Sequence, residues 1–238
     1  MKLAGDYYEV STLINRAGTR VAYTTWIGPR STIYAIPTEG GTPEKICEDC
    51  GQLRSWSSDG KVMLSQEGVR EGSKLVGERI DRIDPMSRRK TVLLEKRGAF
   101  LFAPDLSPNG HWVAFQAKAT LSANKEQLFI APMDDGAPVA PERWIAITDL
   151  KYFDAGPMFA RDGKILYFNS DRDGSTCLCA VRLDPITKRP AGDPFPVKHF
   201  HGNPRHYSTY PQFCVGPDRI IISLDQLQSD LWMMQLPE

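Results

Sequence analysis

The sequence predicts an all-β fold, a β-propeller of about five four-stranded blades. Three observations lead there. First, a turn-then-strand segment, Trp56-Ser57-Ser58-Asp59-Gly60-Lys61-Val62-Met63-Leu64-Ser65, returns at Leu106–Phe115 and Phe159–Phe168. A looser copy lies at Ile14–Tyr23 and a degenerate one at Val215–Ser223. Second, the turn glycines keep a blade-like period: Gly18 to Gly60 is 42 residues, Gly60 to Gly110 is 50 and Gly110 to Gly163 is 53. Third, 18 prolines and 19 glycines punctuate the chain, and no long apolar stripe of helical period runs through it. A small four-stranded sheet cannot bury both faces alone; radial stacking buries them against each other and leaves short, protected edges.

The elements follow in order. The first unit, roughly 10–49, has strands expected at Glu9–Ile14, Arg20–Trp26, Thr32–Ile36 and Glu44–Cys47. The second, roughly 50–96, has Gln52–Trp56, Lys61–Gln66, Lys74–Ile83 closed by Asp84-Pro85, and Lys90–Leu94. The third, roughly 97–150, has Leu101–Leu106, Trp112–Lys118, Gln127–Pro132 and Trp144–Thr148, with a longer loop at Leu121–Lys125. The fourth, roughly 151–202, has Ala155–Phe159, Ile165–Ser170, Thr176–Leu183 and Phe195–His199. The fifth, roughly 203–238, has Thr209–Val215, Arg219–Leu224 and Asp230–Gln235, one strand short. Residues 1–9 are expected to close the ring, so that 1–238 form one propeller domain. Six blades, or a fragment of a larger ring, is the alternative. At Asp59-Gly60, Asn109-Gly110 and Asp162-Gly163 the dipeptide fits a tight turn, because glycine supplies φ > 0 at no steric cost.

Composition bounds the function. The 238 residues carry 29 basic and 29 acidic side chains, a formal net charge of zero, which argues against a nucleic-acid partner. The basic residues Arg79, Arg82, Arg88, Arg89, Lys90, Lys96 and Arg97 are interleaved with Glu67, Glu71, Glu78, Asp81, Asp84 and Glu95, the pattern of a solvated surface. No run of about 18 apolar residues suggests a transmembrane segment. Met1–Asp6 turns polar at once, so no signal peptide is expected; the chain is cytoplasmic, or extracytoplasmic as an excised domain. The five cysteines are too few, and odd in number, for a disulfide scaffold.

The pattern Ser-x-Asp-Gly-Lys before an apolar strand, followed by strands such as Ile33–Ile36, Leu128–Ala131 and Leu231–Met234, resembles the TolB-like, WD-repeat-like propeller repeats of bacteria. The ending Arg219–Ser223 and Ser229–Trp232 looks like the last blade of propellers appended to bacterial sensor proteins. The resemblance covers nearly the whole chain. It implies a non-catalytic module binding a protein, peptide or small ligand through rim loops and the channel mouth. It carries no catalytic residue over.

The densest unusual stretch is Lys198–Tyr207, which holds three of the four histidines. His199, His201, Arg205, His206 and Tyr207 are the candidate ligand-binding residues. On a strand His199 and His201 point to one face, and with His206 they could hold zinc or manganese. The expectation is no cofactor; a divalent metal, in a metal-dependent hydrolase or lyase, is the alternative. Cys47-Glu48-Asp49-Cys50 has C-x-x-C spacing, read as a local disulfide or plain thiols. Cys177, Cys179 and Cys214 read as small strand residues. Asp171–Ser175 lacks the remaining ligands of a calcium loop and reads as a turn. No nucleophile elbow, phosphate loop or dinucleotide fingerprint is present.

Overall fold

The computed structural model describes residues 8–134, 138–200, 213–216 and 218–224. The first blade is β1 (Tyr8–Ile14), β2 (Arg20–Ile27), β3 (Arg30–Pro37) and β4 (Glu44–Glu48). The second is β5 (Gln52–Trp56), β6 (Met63–Glu71), β7 (Lys74–Ile83) and β8 (Lys90–Leu94). The third is β9 (Phe100–Leu106), β10 (Trp112–Lys118), β11 (Gln127–Pro132) and β12 (Ile145–Ala146). The fourth is β13 (Asp154–Phe159), β14 (Ile165–Ser170), β15 (Cys177–Arg182) and β16 (Phe195–Lys198). Of the fifth, the described residues give the hairpin β17 (Phe213–Val215) and β18 (Ile220–Ile222). The strands expected within 1–7 and 225–238 lie outside the described residues.

Each blade is an antiparallel meander. Its first strand is innermost: β1, β5, β9, β13 and β17 lie side by side in chain order. The hydrophobic core is laid down between blades. Ala22, Ile33, Ala35 and Ile46 of the first blade meet Leu53, Met63 and Ile83 of the second. Leu64, Ile80, Leu93 and Leu94 of the second meet Leu101, Val113 and Phe115 of the third. Ala114, Leu128 and Ile130 of the third meet Phe159, Leu166, Phe168 and Val181 of the fourth. Neighbouring strand residues point to opposite faces, so Val113 and Phe115 face one blade and Ala114 the next. A strand buried on both faces therefore reads as a continuous apolar run.

The repeated turn owes its sequence to hydrogen bonding. Ser57 Oγ donates to Asp59 Oδ1 (2.7 Å), Asp59 Oδ1 accepts from Lys61 N (3.1 Å), and Ser57 Oγ accepts from Val62 N (2.9 Å). Ser107, Asn109, His111 and Trp112 repeat the set at 2.7, 3.2 and 3.0 Å. The loop is a four-residue type I turn closed by a left-handed glycine, not a two-residue hairpin: Gly60 N bonds Ser57 O (3.0 Å) and Ser57 N bonds Val62 O (2.8 Å). Gly18, Gly60, Gly110 and Gly163 all have φ between 66° and 77°. A second repeat joins the third and fourth strands: Asp84 Oδ1 accepts from Met86 N and Ser87 N, and Asp184 Oδ1 from Ile186 N and Thr187 N.

Several expected strands shift by one or two residues at an end, as β3 and β18 do, and two further differences have a local cause. β6 runs on to Glu71, five residues past the expected Gln66, because Gly72-Ser73 closes a tight turn onto β7. The strand expected at Trp144–Thr148 shrinks to Ile145–Ala146, after a single 3-10 turn at Pro141–Arg143. There Thr148 Oγ1 accepts from Leu128 N (3.1 Å) in place of a backbone carbonyl, and Trp144 turns inward onto Phe115, with ring centroids 4.9 Å apart.

Every described four-stranded blade has an extra residue in its innermost strand, a β-bulge four residues before the turn: between Val10 and Thr12, between Leu53 and Ser55, opposite Phe115 in β9, and opposite Phe168 in β13. The innermost N–H groups there have no strand to bond. Side chains of the preceding blade take them. Thr24 Oγ1 accepts from Leu53 N (2.9 Å), Gln66 Oε1 from Ala103 N (3.4 Å) and Gln116 Oε1 from Gly156 N (2.6 Å). Two residues before the turn a second series runs: Ser55 Oγ accepts from Leu106 N (3.1 Å), Asp105 Oδ2 from Phe159 N (2.8 Å) and Met158 Sδ from Val215 N (3.3 Å). Burial pushes the Asp105 carboxyl up to about 7.

Two outcomes follow from these turns and junctions. Gly60→Val places a β-branched residue at φ 77° with open space around it, so the cost is backbone strain alone. Urea unfolding should show a loss of about 1–3 kcal/mol; an unchanged midpoint would mean the turn tolerates any residue. Asp105 binds its proton more tightly folded than unfolded. It therefore favours the folded state fully below pH about 4, and this contribution is lost as pH rises through about 7. Asp105→Asn mimics the protonated acid, so its stability relative to the parent should rise by on the order of 1–3 kcal/mol from pH 4.5 to 8. A difference flat with pH would refute the buried titration.

Candidate functional site

The antiparallel meander sorts the loops onto two ends of the molecule. One end carries the repeated first-to-second-strand turns. The other carries the second-to-third-strand turns and the crossovers between blades, at 49–52, 95–100, 147–154 and from His199 on. The copies agree at the first end and differ at the second.

At the crossover end, the side chains that take the bulge N–H groups continue into a charged cluster. Gln66 Nε2 donates to Glu78 and its Oε1 accepts from Arg54 Nε (3.1 Å). In the next blade Gln116 Nε2 donates to Glu126, whose other oxygen accepts from Lys118 Nζ at 3.0 Å. The two sets are one structural repeat apart, since Gln66 pairs with Ile80 and Gln116 with Leu128, each two residues past its glutamate. Lys118 also lies over the Phe102 ring, 5.0 Å from its centroid. Glu126 is fully buried and Lys118 8% exposed, so the pair is desolvated. Burial pushes Glu126 above the usual carboxylate range, against the pull of Lys118; burial likewise raises Glu78, against Gln66 and Arg54. In the fourth blade Arg172 donates to Asp154 Oδ1 (3.0 Å) and Ser170 Oγ (2.9 Å), and its guanidinium lies 5.3 and 5.4 Å from the Tyr152 and Phe168 rings.

His199 sits at the end of β16. Its Nδ1 is 3.1 Å from Asp173 Oδ2 and 3.7 Å from Cys177 Sγ. The three ligand atoms lie within 4.8 Å of one another. His201, Arg205, His206 and Tyr207 lie outside the described residues, so the expected three-histidine set is represented by His199 alone. Asp173 and Cys177, read from the sequence as turn and packing residues, are neighbours of His199. The signal that finds them is strand register: Leu178 pairs Lys198, which sets Cys177 across from His199.

The C-x-x-C pair is a disulfide, Cys47–Cys50, at the first crossover. Cys177 and Cys179 are buried in β15, and burial pushes the Cys179 thiol up to about 11. The basic residues of the second blade are matched by acids: Arg79 with Asp81 (2.9 Å), Arg88 with Glu44 (3.0 Å), and Lys90 between Asp81 (3.8 Å) and Glu67 (4.0 Å).

No protein-family model matches the chain, and no curated protein does. Solved structures do. TolB from Acinetobacter baumannii is 18% identical over 76% of this chain and 42% of its own, with a TM-score of 0.59. A putative TolB from Agrobacterium tumefaciens is 22% identical over 77% and 62%, with a TM-score of 0.60. Prolyl oligopeptidase B from Galerina marginata is 15% identical over 80% and 29%, with a TM-score of 0.56. The fold is a TolB-like β-propeller. The chain spans less than two thirds of each of these structures. Among the described residues, no helix of this propeller is long and apolar enough to cross a membrane.

The desolvated Lys118–Glu126 pair makes a clean test of the cluster. Removing one partner leaves a buried charge uncompensated, so Lys118→Met should cost about 3–5 kcal/mol. The double variant Lys118→Met with Glu126→Gln should recover most of it. Chemical unfolding of the four proteins of this cycle measures both; a double variant no better than the single one would mean the lysine acts through packing alone.

Proposed function

We propose that this propeller is a non-catalytic binding module that takes a peptide or protein segment on its crossover end, at the mouth of the axis. One observation supports the reading above others. Arg54 and Glu78, both partly exposed, are held in fixed positions through Gln66, in the blade next to the buried Lys118–Glu126 pair and Phe102, at the end where the blade copies diverge. A peptide offers carbonyls, N–H groups and both signs of charge. A cluster already locked by hydrogen bonds gives up little freedom on meeting it, and placed charges select among partners. The resemblance to TolB-like repeats points the same way. So does the prolyl oligopeptidase neighbour, whose structure holds a 35mer substrate. In this reading the propeller serves as a sensory or scaffolding part of a larger bacterial protein.

The test is selection of a displayed peptide library on the immobilised full chain. Enriched sequences should bind the free protein. Arg54→Ala and Glu78→Gln, each checked for folding by circular dichroism, should weaken that binding at least about tenfold, 1.4 kcal/mol. Lys61→Ala, at the opposite end of the molecule, should leave it unchanged. A library that enriches nothing, or binding lost only in Lys61→Ala, overturns the proposal.

A further inference from the structure

Asp173, Cys177 and His199 come from three separate places in the fourth blade. Asp173 lies in the turn between β14 and β15, Cys177 opens β15, and His199 follows β16. Strand register brings them together, since the pairing of Leu178 with Lys198 continues to Cys177 opposite His199. The sulfur is fully buried, while the Asp173 and His199 side chains are 36% and 53% exposed. The group thus has a protein-side floor and an open mouth.

The donor atoms are those of a zinc site: one thiolate, one imidazole nitrogen and one carboxylate oxygen. Their spacing matches as well. Zinc bonds of about 2.0–2.3 Å at tetrahedral angles set ligand atoms about 3.3–3.6 Å apart. Here Nδ1 to Oδ2 is 3.1 Å and Nδ1 to Sγ is 3.7 Å, with all three atoms inside 4.8 Å. Small shifts of two exposed side chains bring the set to bonding geometry around one ion. We infer that Asp173, Cys177 and His199 bind a divalent zinc ion, which ties the crossover leaving the fourth blade to that blade's β14–β15 turn. On binding, the metal replaces the proton of the Cys177 thiol; the proton goes to solvent and the sulfur is bound as thiolate. Three described ligands leave one tetrahedral position over. This site is separate from the Arg54–Glu126 cluster and stands whether or not that cluster binds a peptide.

The experiment is zinc titration of the full chain, stripped with a chelator and kept free of reductant so that Cys47–Cys50 stays closed. One equivalent should bind. It should raise the melting midpoint by about 5 °C or more at a hundredfold excess over Kd. Cobalt in its place should show a thiolate-to-metal charge-transfer band. Cys177→Ser and His199→Ala should each lose the equivalent, and Cys177→Ser the cobalt band; Cys179→Ser and Cys214→Ser should keep both. Should Cys177→Ser fail to fold, Asp173→Asn, on an exposed turn, carries the test through a loss of zinc affinity of at least about tenfold. Absence of zinc binding, zinc held equally by His199→Ala and Asp173→Asn, or a cobalt spectrum without the thiolate band overturns the inference.

Discussion

Each blade of this propeller has an innermost strand with a bare inner edge, and the rest of the structure depends on how those N–H groups are satisfied. A buried N–H without an acceptor costs about as much as a lost hydrogen bond, so the edge must be answered by something. The answer is a side chain from the preceding blade, and it comes twice at the junctions of the second with the third blade and of the third with the fourth. One acceptor sits in the second strand, as Thr24, Gln66 and Gln116; the other sits two residues before the turn, as Ser55, Asp105 and Met158. The bulges make this possible. By inserting one residue they aim an N–H toward the neighbour that a regular strand would have placed elsewhere. Apolar burial between blades supplies most of the cohesion and is indifferent to register. The paired acceptors fix which residue faces which.

That arrangement explains why polar residues stand inside strands that are otherwise continuous apolar runs. Gln116 is 4% exposed and is followed, two residues on, by the buried Lys118. A glutamine can accept from the next blade with its oxygen and donate with its nitrogen, and the donated hydrogen needs an acceptor in turn. Glu78 and Glu126 provide it, and each carboxylate then has a cation near it, Arg54 for one and Lys118 for the other. The charged cluster is thus a consequence of joining the blades. Half-satisfied, such a network would be worse than an apolar core; satisfied, it gives a rigid patch of both charges at one end of the axis.

The sequence made the repeated end of the molecule legible and left the other end dark. Ser57, Asp59 and Gly60 could be read because their hydrogen bonds close within six residues, so the pattern is local and the copies resemble one another. β7, β8, β10 and β11 were placed to the residue for the same reason: turns and apolar runs bounded them. The β12 strand was overdrawn because the side chain of Thr148, which replaces a ladder bond, looks in sequence like one more β-branched strand residue. The junction acceptors are not legible because their partners lie 29 to 57 residues away, and an isolated Thr, Ser or Asp in a strand carries no mark of it. His199 stands out in sequence for its histidine neighbours, whereas Asp173 and Cys177 lie beside it in space. Those two are found only once the register of β15 and β16 is known.

The junctions are not equal. Between the first four blades the acceptors are hydroxyl, amide and carboxylate oxygens. Between the fourth and fifth, the described acceptor is the thioether of Met158, a weak one. The crossover that leads toward that junction begins at His199. A metal on His199, Asp173 and Cys177 would anchor the start of that crossover to the fourth blade. Among the described residues, the junction whose acceptor is a thioether is thus also the one with a cluster of thiol, imidazole and carboxylate at its entrance.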